Sequence, residues 1–307
     1  MKNILVTGGS GFIGHSVLPA LLAKKYSITA IGRTPRNPFG QNVRYRQADL
    51  FQPLPKNILK GVDAVVHMAG DVKINDSLSD PQGNIERNLK TLSSILESAR
   101  IEGHHPLIVF LSTDRLYGRS THRVATESEP PFPLEAYTAS KIMAEQLLAL
   151  YAHLYQIPYI VLRLDSVYGP HQPRSMFISD LIQKMIATNE VETGSLSTRK
   201  NFVYSADVAE AVVCALRAPR SAHNQIYNIG GSAASLEDVA GVIKGLMEKR
   251  QHKTITLRTN AGVNRAKKAE VSAFTLSTAK AARILKWKPR TSLVTGLSKT
   301  IDYFLHL

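Results

Sequence analysis

The sequence predicts an α/β fold, with a doubly wound parallel sheet followed by a smaller carboxyl-terminal α/β domain. Two observations lead to this prediction. An apolar run at residues 4–6 passes through a glycine-rich turn into an apolar helical segment at 17–22. Beyond it, short apolar strands alternate with helical segments through the first half of the chain, which is typical of a parallel sheet covered by helices on both faces.

Composition places the chain among globular proteins. Its 307 residues are 44% hydrophobic and 20% charged, which allows a large buried core. The single cysteine excludes a disulfide within the chain. No apolar run is long enough to span a membrane, and the glycine-rich turn lies too near residue 1 to leave room for a signal peptide. We therefore expect a cytoplasmic protein without membrane contact, and we expect no metal site.

The chain carries a net charge of +14 at pH 7, and much of the excess lies late in the sequence. The basic residues of this region are Lys249, Arg250, Lys253, Arg258, Arg265, Lys267, Lys268, Lys280, Arg283, Lys286, Lys288 and Arg290. Such a surplus suits an anionic partner, either nucleic acid or a phosphorylated small molecule. Because no aromatic residues are interleaved as in nucleic-acid-binding modules, we favour a solvated basic face that attracts a phosphorylated small molecule.

The glycine-rich turn has the spacing of a dinucleotide-binding motif. Gly9, Gly11 and Gly14 fit the pattern G-x-G-x-x-G between a strand and a helix. Glycine permits the tight turn and the approach of a pyrophosphate, and the helix start offers free N–H groups to the anion. The motif predicts a Rossmann cofactor site made of Gly8, Gly9, Ser10, Gly11, Phe12, Ile13 and Gly14. The alternative is a glycine-rich turn that binds nothing.

The end of the second predicted strand, at 27–31, bears on the choice of cofactor. An acidic residue about twenty positions after the glycines holds the ribose of NAD, whereas an arginine there suits the 2′-phosphate of NADP. This sequence has Gly32 and Arg33 at that point, with Arg36 close by and no carboxylate. Because arginine attracts a phosphate that a carboxylate would repel, we expect NADP(H), with NAD(H) as the alternative. Otherwise the two arginines simply point into solvent.

Further elements continue the alternation. Strands are predicted at 43–46, 62–67, 106–111 and 159–163, and packed helices at 84–100 and 137–151. Ligands of a doubly wound sheet lie beyond the carboxyl ends of its strands. The residues expected to contact the cofactor at two of these ends are Asp49, Leu50, Met68, Ala69 and Gly70. Asp49 is placed to meet the adenine, and Thr113 follows the fifth strand.

The alternation loosens in the last third of the chain. Helices are predicted at 177–186, at 206–218 and from 235, and strands at 200–204 and 225–229. Neither a repeat nor a flexible linker separates these elements from the earlier ones. We therefore expect a dinucleotide-binding domain at 1–164, to which 201–230 also contributes, and a mainly substrate-binding domain formed by 165–200 and 231–307.

Tyr137 and Lys141 are spaced i, i+4 in a predicted helix, so they lie on one face a turn apart. An ammonium beside a phenol favours the phenolate. We therefore expect Lys141 to lower the pKa of Tyr137 toward neutrality, which would make the pair a usable acid and base. The spacing is common by chance and alone would describe a pair on a helix surface. The glycine motif upstream and Thr113 at a strand end favour the catalytic interpretation.

Ten segments complete the pattern of motifs. They are Thr7-Gly8-x-x-Gly11-x-x-Gly14, Asp49-Leu50, His67-x-Ala69-Gly70, Asn88, Ser112-Thr113-x-x-Leu116-Tyr117-Gly118, Tyr137-x-x-x-Lys141, Arg163-x-x-x-x-Tyr168-Gly169-Pro170, Phe202-Val203-Tyr204-x-x-Asp207-Val208-Ala209, Tyr227-Asn228-Ile229-Gly230 and Lys286-Trp287-Lys288-Pro289. Together they resemble the extended short-chain dehydrogenase/reductase family, which contains nucleotide-sugar epimerases, dehydratases and reductases. The resemblance covers essentially the whole chain in the family's order.

The resemblance implies hydride transfer between a nicotinamide and a carbon of a nucleotide-diphosphate sugar or another carbonyl compound. Tyr137 would give or take the proton of the attached oxygen, and Thr113 would hydrogen-bond that oxygen. Lys141 would tune Tyr137 and hold the nicotinamide ribose, and Asp114 resembles the acid of the sugar 4,6-dehydratases. Further cofactor contacts are implied for Asn88, Ser112, Val167, Tyr137 and Lys141. Substrate contacts are implied for Asp71, Arg115, Ser166, Arg199 and Lys200.

Departures from the family pattern bear on the reaction. Dehydratases of the family carry a glutamate base after the Thr-Asp pair, whereas Arg115 stands there in this sequence. Dehydration is therefore not expected. The usual asparagine before Tyr-Gly-Pro is replaced by Ser166, and the usual Arg-Asp-Phe triplet is Lys200-Asn201-Phe202. The helices around Asn88 and Tyr137 resemble those that pair in homodimers of this family, so a homodimer is expected.

The motifs and the departures from them leave three possible functions. The first is an NADP(H)-dependent reductase of a keto group on a nucleotide-linked sugar, favoured by Arg33 and by the missing dehydratase base. The second is an epimerase that keeps NAD bound and returns the hydride, or a dehydratase-like enzyme. The third is a non-catalytic protein that senses dinucleotides or binds nucleic acid on the same fold. Intact Thr113, Tyr137 and Lys141 argue against the third.

Overall fold

A computed structural model describes residues 1–72, 74–118, 120, 124–259 and 274–307. Its strands are β1 (Asn3–Thr7), β2 (Ser27–Gly32), β3 (Arg44–Gln47), β4 (Ala64–His67), β5 (Leu107–Thr113), β6 (Val124–Ala125), β7 (Tyr159–Leu164), β8 (Ser166–Tyr168), β9 (Glu190–Thr193), β10 (Arg199–Tyr204), β11 (Gln225–Ile229), β12 (Ser232–Ser235), β13 (Thr256–Thr259) and β14 (Thr275–Leu276). Its α-helices are α1 (Gly14–Ala23), α2 (Ile74–Ser79), α3 (Pro81–Glu102), α4 (Ala136–Tyr155), α5 (Phe177–Ala187), α6 (Ser205–Arg217), α7 (Leu236–Gln251) and α8 (Leu293–Leu305).

Seven parallel strands form the main sheet, in the order β11-β7-β5-β4-β1-β2-β3. Every residue of β4 and β5 is buried, as continuous apolar runs require when helices cover both faces. The strand order reverses between β1 and β4, which opens a crevice beyond their carboxyl ends. The predicted doubly wound parallel sheet is therefore confirmed.

Helices cover the sheet in two layers. On one face α1 and α6 bury Val17, Leu21 and Val212 against the strands. On the other face α3 and α4 bury apolar side chains such as Leu92 and Leu148. A second apolar core lies outside the main sheet, where α5, α7 and α8 pack with β10. Two small sheets, β12-β10-β8 and β13-β9, complete this part of the chain.

The carboxyl-terminal segment is tied back to α6. The indole nitrogen of Trp287 donates to the carbonyl of Asp207 at 2.9 Å, and the amides of Arg290 and Thr291 donate to the Asp207 carboxylate at 3.1 and 3.0 Å. Trp287 is buried in the same core as α1 and α6. The segment 281–287 therefore packs against the main sheet, although it was predicted to lie in the substrate-binding domain.

Element boundaries differ from the prediction where capping decides them. Helix α3 begins at Pro81 instead of residue 84, because the Asp80 side chain accepts a hydrogen bond from the Gly83 amide and proline suits a first turn. The short strands β9, β13 and β14 and helix α8 were not predicted. Among the described residues, no helix combines the length and the apolar character needed to cross a membrane.

Candidate active site

The turn between β1 and α1 requires glycine at two positions. Gly8 has a φ of +69°, and a Cβ built on it would lie 2.6 Å from the backbone nitrogen of Ala69. A Cβ on Gly14 would lie 2.1 Å from the carbonyl oxygen of Gly9. Real Cβ atoms do not approach other atoms so closely, so a side chain at either position would displace the backbone. The glycine spacing therefore marks a close crossing from strand to helix.

The start of α1 presents backbone donors. Within the described residues, the amide groups of Phe12 and Ile13 donate no hydrogen bond to the protein, and no side chain caps the helix. These N–H groups lie at the crevice beside β1 and β4, where the strand order reverses. Unpaired amides at a helix start suit the negative charge of a pyrophosphate. The residues of the turn therefore fit a dinucleotide cofactor.

The end of β2 carries two exposed arginines, Arg33 and Arg36, and no carboxylate. The loop that holds them is fixed by its neighbours on β3. The hydroxyl of Tyr45 donates to the carbonyl of Thr34 at 2.7 Å, and the side-chain amide of Gln47 donates to the carbonyl of Arg33 at 3.1 Å. The backbone is thus ordered while the two guanidinium groups remain in solvent.

Asn88 of α3 organises the loop that follows β4. Its side-chain oxygen accepts from the amide of Asp71 at 2.7 Å, and its side-chain nitrogen donates to the Asp71 carbonyl at 3.1 Å and to Ser140 of α4 at 2.9 Å. The Asp71 carboxylate itself accepts from Arg87 at 3.0 Å. Asn88 therefore fixes the backbone at Asp71, directly after the predicted cofactor segment 68–70, relative to the helix that carries Tyr137.

Other predicted cofactor residues lie at strand ends or in the neighbouring sheet: Asp49 and Leu50 after β3, Ser112 in β5 and Val167 in β8. The Asp49 carboxylate accepts from the amide of Phe51 at 3.0 Å. The Ser112 hydroxyl donates to Glu145 of α4 at 2.6 Å. The side chains of Asp49 and Ser112 thus already have protein partners.

The structure brings Thr113, Tyr137 and Lys141 together. Thr113 is the last residue of β5, whereas Tyr137 and Lys141 lie in the first turns of α4. Each of the three is less than one-tenth exposed. The side chains of Thr113 and Tyr137 lie near each other. The ammonium of Lys141 donates to the carbonyl of Leu111 at 2.9 Å and lies 5.9 Å from the centre of the Tyr137 ring.

The prediction that Lys141 lowers the pKa of Tyr137 is wrong. Burial raises the pKa of Tyr137 above its usual value, and the neighbouring Thr113 and the charge of Arg115 oppose this only in part. Burial also lowers the pKa of Lys141 to about 8, against the effect of Glu145. Lys141 is itself desolvated and bound to a carbonyl, so it does little to favour a phenolate.

Asp114 and Asp165 form a pair of carboxyl groups next to Thr113. Asp114 begins a 3₁₀ turn after β5 and Asp165 follows β7, so the two carboxyl groups lie at neighbouring strand ends and act on each other's pKa. Burial raises the pKa of both carboxyls, and that of Asp165 most, because the charge of Asp114 adds to the effect of burial. The charge of Lys200 on β10 acts in the opposite direction on both. Asp114 was predicted as an acid, whereas Asp165 was missed.

Arg115 lies beside the start of α4. Its Nε is 3.1 Å from a carboxylate oxygen of Glu135, whose side chain is fully buried. Glu135 was not predicted, although it stands only two residues before Tyr137. Arg115 thus forms an ion pair at the position where the resemblance implies the catalytic base of the dehydratases.

The remaining predicted substrate residues have different surroundings. The Ser166 amide donates to Asp165, and Lys200 faces the two carboxyl groups. Arg199 is exposed, and its guanidinium donates to the carbonyl of Ala233 at 3.4 Å. The structure therefore gathers Ser166 and Lys200 at the carboxyl pair, whereas Arg199 lies on the surface. The late basic residues Arg265, Lys267 and Lys268 lie outside the described residues.

A buried polar network supports the site from behind and was not predicted. Arg163 of β7 pairs with Glu145 of α4 at 2.6 Å and donates to the hydroxyl of Tyr117 at 2.6 Å. Tyr117 donates in turn to Asn228 of β11 at 2.9 Å. The sequence did contain one indication of this network, because Glu145 follows Lys141 by four residues and therefore shares its helix face. The network fixes α4 against the strands whose ends carry the reactive groups.

Comparison with known proteins places the chain. Residues 4–230 match the model of the NAD dependent epimerase/dehydratase family. A protein of Methanocaldococcus jannaschii, named provisionally as a UDP-glucose 4-epimerase, is 30% identical over 98% of this chain and 97% of its own length. A trifunctional UDP-glucose 4,6-dehydratase/UDP-4-keto-6-deoxy-D-glucose 3,5-epimerase/UDP-4-keto-L-rhamnose-reductase of Arabidopsis thaliana is 27% identical over 99% of this chain, which spans 47% of that enzyme.

A solved structure agrees with these relatives. The UDP-glucuronic acid 4-epimerase of Bacillus cereus, in complex with UDP-glucuronic acid and NAD, superposes with a TM-score of 0.85 over 99% of each chain, at 26% identity. The family match covers the glycine turn and the Thr113, Tyr137 and Lys141 site alike. The chain belongs to the NAD dependent epimerase/dehydratase family, the extended group of the short-chain dehydrogenases/reductases.

Proposed function

We propose that this protein is a nucleotide-sugar epimerase that keeps NAD bound and returns the hydride to the carbon it came from. The observation that carries the proposal is the joint burial of Thr113, Tyr137 and Lys141 where β5 ends beside α4, at the same edge of the sheet as the glycine turn. An alcohol held there would meet a hydride acceptor and a proton acceptor together. The M. jannaschii and B. cereus relatives, both named as 4-epimerases of UDP-sugars, support a UDP-linked sugar as substrate.

The residues have separate tasks in this reaction. Bound NAD would take a hydride from the sugar carbon and give it back, and its positive ring would favour the phenolate of Tyr137. Tyr137 takes the proton of the sugar hydroxyl as the C–H bond breaks, so that the alcohol becomes a ketone. Thr113 hydrogen-bonds the same oxygen and fixes its position. Tyr137 would return the proton when the ketone is reduced on its opposite face, which would invert the carbon.

The ion pair of Arg115 and Glu135 supports epimerisation over dehydration. Elimination of water needs a base for a carbon-bound proton, and the position of that base is occupied here by a guanidinium. An arginine remains protonated in proteins and cannot accept a proton. The chain therefore has the groups for oxidising and reducing a carbinol, without the carboxylate that the family's dehydratases use.

We also propose that the second core carries the substrate-binding surface, with the division at 1–164 plus 201–230 and 165–200 plus 231–307 as predicted, except that 281–287 packs against the main sheet. Its side chains come mainly from α5, α7 and α8, and Lys200 on β10 extends from it to the carboxyl pair. The homodimer is proposed to form through α3 and α4, where Met143, Leu150 and Leu154 are exposed apolar side chains. The cytoplasmic location remains a prediction.

One experiment tests the epimerase. The purified protein is denatured, the released small molecules are identified by mass spectrometry, and the intact protein is incubated with UDP-glucose while NMR follows its C4 epimer. We expect about one NAD per chain and turnover without added cofactor. The Tyr137→Phe variant is the matched control, and we expect it to retain NAD but to form almost no epimer. A protein that releases no NAD and acts only with added NADPH would contradict the proposal.

The second candidate is the NADP(H)-dependent reductase that the sequence placed first. It is favoured by the exposed Arg33 and Arg36 at the end of β2, where no carboxylate is available for the ribose of NAD. A 2′-phosphate there would meet one or two guanidinium groups, which bind phosphate through paired N–H donors. The relatives in complex with NAD support the epimerase instead.

Arg33→Ala separates the two candidates. If the 2′-phosphate binds at this site, the variant should lose about tenfold more affinity for NADPH than for NADH, which corresponds to one charge-assisted contact of about 1.4 kcal/mol. Titration of the cofactor-free protein by fluorescence measures both affinities. Arg44→Ala is the control, because Arg44 is an exposed arginine at the opposite end of β3. Equal losses for the two cofactors would leave Arg33 as a surface residue and remove this candidate's support.

A further inference from the structure

Several of the late basic residues lie away from the reaction site. Their surplus charge was expected to form a solvated face that attracts a phosphorylated small molecule. The segment 281–291 packs along α6, through buried Trp287 and the hydrogen bonds to Asp207, and so belongs to the helix layer of α1 and α6. Tyr137 lies in α4, which covers the other face of the sheet. The basic residues of 281–291 therefore need an explanation separate from the reaction.

Exposed cations from three segments share this layer, and we call them the basic stripe. Two follow α1, two lie at the end of α6 or just after it, and the others lie in 281–291: Lys24, Lys25, Arg217, Arg220, Arg283, Lys286, Lys288 and Arg290. Both α1 and the segment 281–287 pack against α6, which brings the three groups together. The charges of Lys24, Arg217 and Arg290 all act on the thiol of Cys214 in α6, as expected for cations around one helix.

The basic stripe runs along the length of α6. Arg290 is held near the start of this helix, because its amide donates to the Asp207 carboxylate at 3.1 Å. Arg217 is the last residue of the helix. A helix rises about 1.5 Å per residue, so the 13 residues of α6 span about 20 Å. The stripe therefore presents cations over a distance of about 20 Å.

The charges of the basic stripe are not neutralised by the protein. None of its members forms an ion pair with a described residue. The segments 14–25, 205–222 and 281–291 contain two acids, Asp207 and Glu210. The Asp207 carboxylate already accepts from the backbone amides of residues 290 and 291. The stripe therefore has a concentrated positive potential, which attracts an anionic partner.

The side chains around these charges distinguish between classes of anionic partner. None of the exposed large apolar side chains of the described residues lies in the three segments. Binding at a membrane surface combines cations with apolar side chains that enter the lipid. Binding of single-stranded nucleic acid uses aromatic side chains on which bases stack, and Trp287, the one aromatic residue in the three segments, is buried. Exposed cations without either feature suit the phosphates of a double helix.

The length of the stripe also suits a double helix. Duplex DNA carries one phosphate per about 1.7 Å of its axis, so a stretch of about 20 Å holds about twelve, of which about six face one side. The stripe has enough cations to meet these six phosphates. Contacts to phosphates carry no information about the bases.

We propose that the basic stripe is a docking surface for double-stranded nucleic acid, which it holds through the phosphates without regard to base sequence. This surface is independent of the proposed epimerase, because the stripe and Tyr137 lie in helix layers on opposite faces of the sheet. The same molecule can therefore bind a duplex while its reaction site stays open to a small substrate.

Fluorescence anisotropy of the full-length protein with a labelled DNA duplex of about 20 base pairs tests this surface. We expect a Kd of about 1 µM in about 50 mM KCl, and the same Kd within about threefold for a duplex of unrelated sequence. Each phosphate contact contributes about −0.9 to the slope of log affinity against log salt concentration, so six contacts give a slope of about −5. Between about 50 and 200 mM KCl the affinity should therefore fall by about 10³-fold.

A triple variant assigns the binding to the stripe. Lys24→Gln, Arg217→Gln and Lys288→Gln together remove one cation from each of the three segments. The slope should change to about −3, and the affinity in about 50 mM KCl should fall by at least about 30-fold. If this variant does not fold, as judged by urea denaturation, Lys25→Gln, Arg220→Gln and Lys286→Gln replace it, because they remove three other cations of the same stripe.

A second triple variant is the matched control. Lys56→Gln, Lys60→Gln and Lys249→Gln remove three exposed lysines outside the stripe and give the same net charge. This variant should keep the wild-type slope and a Kd within about threefold of the wild type.

Three results would overturn the proposal. The first is a wild-type protein that does not bind the duplex in about 50 mM KCl. The second is an equal loss of affinity in the stripe variant and its control, which would assign the binding to the net charge of the whole protein. The third is tighter binding to phosphatidylcholine vesicles with about 30% phosphatidylglycerol, or to a single strand of the same length, than to the duplex. None of these measurements depends on turnover of UDP-glucose, so failure of the epimerase proposal would leave their outcome unchanged.

Discussion

The cofactor turn and the reaction site of this protein are built in different ways. The turn at residues 8–14 is one short stretch of backbone, and its two key positions are defined by the absence of a side chain. The reaction site is a set of mostly buried side chains from β5, α4 and the turns after β5 and β7, with the half-buried Lys200 of β10, brought together over almost ninety residues of sequence. The first offers amides to an anion, whereas the second keeps titratable side chains out of water.

The difference explains which substitutions each region tolerates. A backbone turn fails only when a side chain is added, because the N–H groups are supplied by every residue alike. A cluster of buried polar side chains fails when any partner is removed, because each group depends on another for its hydrogen bonds and charge balance. The comparison predicts that turnover, stability and cofactor affinity respond to different substitutions, and three substitutions test this.

The largest effect is expected for Tyr137→Phe. The variant loses the hydroxyl that exchanges the proton with the sugar, so kcat should fall by about 10²- to 10⁴-fold. The ring stays and no glycine is touched, so affinity for NAD should change by less than about twofold. Stopped-flow turnover and a cofactor titration on the same sample measure the two quantities. Near-normal turnover would show that the buried phenol is not the acid and base of this site.

The next effect is expected for Arg163→Met, which leaves Glu145 buried without its cation. Removal of one partner of a buried pair costs about 3–5 kcal/mol, so the free energy of unfolding should fall by about that amount. Chemical denaturation with urea measures it. Lys184→Met is the matched control, because it removes the cation of an exposed pair at 2.8 Å and should cost less than about 1 kcal/mol. Equal losses would mean that the buried network adds nothing to the side-chain site.

The smallest effect on stability is expected for Gly14→Ala. Its methyl group would collide with the carbonyl of Gly9, so the turn must shift, at a cost of about 2 kcal/mol. NAD affinity should fall in parallel while the Thr113 and Tyr137 geometry survives. Gly241→Ala on α7 is the control, since a Cβ there meets nothing within 4 Å and should stabilise the helix by about 0.5–1 kcal/mol. A Gly14→Ala protein with normal NAD affinity would contradict the claim that the glycine turn controls cofactor affinity.

Local patterns in the sequence were sufficient for much of this structure. The glycine spacing located the turn because its three glycines lie within six residues of one another, and Tyr137 and Lys141 shared a helix face because their spacing is local. The buried strands β4 and β5 were predictable from continuous apolar runs. These features depend on residues that are neighbours in sequence, so they could be predicted from the sequence alone.

The features that escaped prediction depend on distant partners. Asp165 meets Asp114 only because β7 lies next to β5 in the sheet, and the two residues are fifty-one positions apart. The pKa of Tyr137 was predicted in the wrong direction, because spacing placed Lys141 on the right face but could not reveal burial or the carbonyl that takes its ammonium. The short strands β9 and β13 pair with each other in a two-stranded sheet, and four residues give too brief a pattern to identify a strand.

The hydrogen bond from Trp287 to Asp207 has a practical consequence for the expression of parts of this protein. The chain passes from β7 into the second core with α5, returns to the main sheet with α6 and β11, leaves again with α7, and comes back at 281–287 before α8. A fragment that ends after β7 would lack β11 and α6, and its counterpart would carry them with no sheet to join. Separate expression of the two halves should therefore give insoluble fragments, and fusion partners belong at the ends of the intact chain.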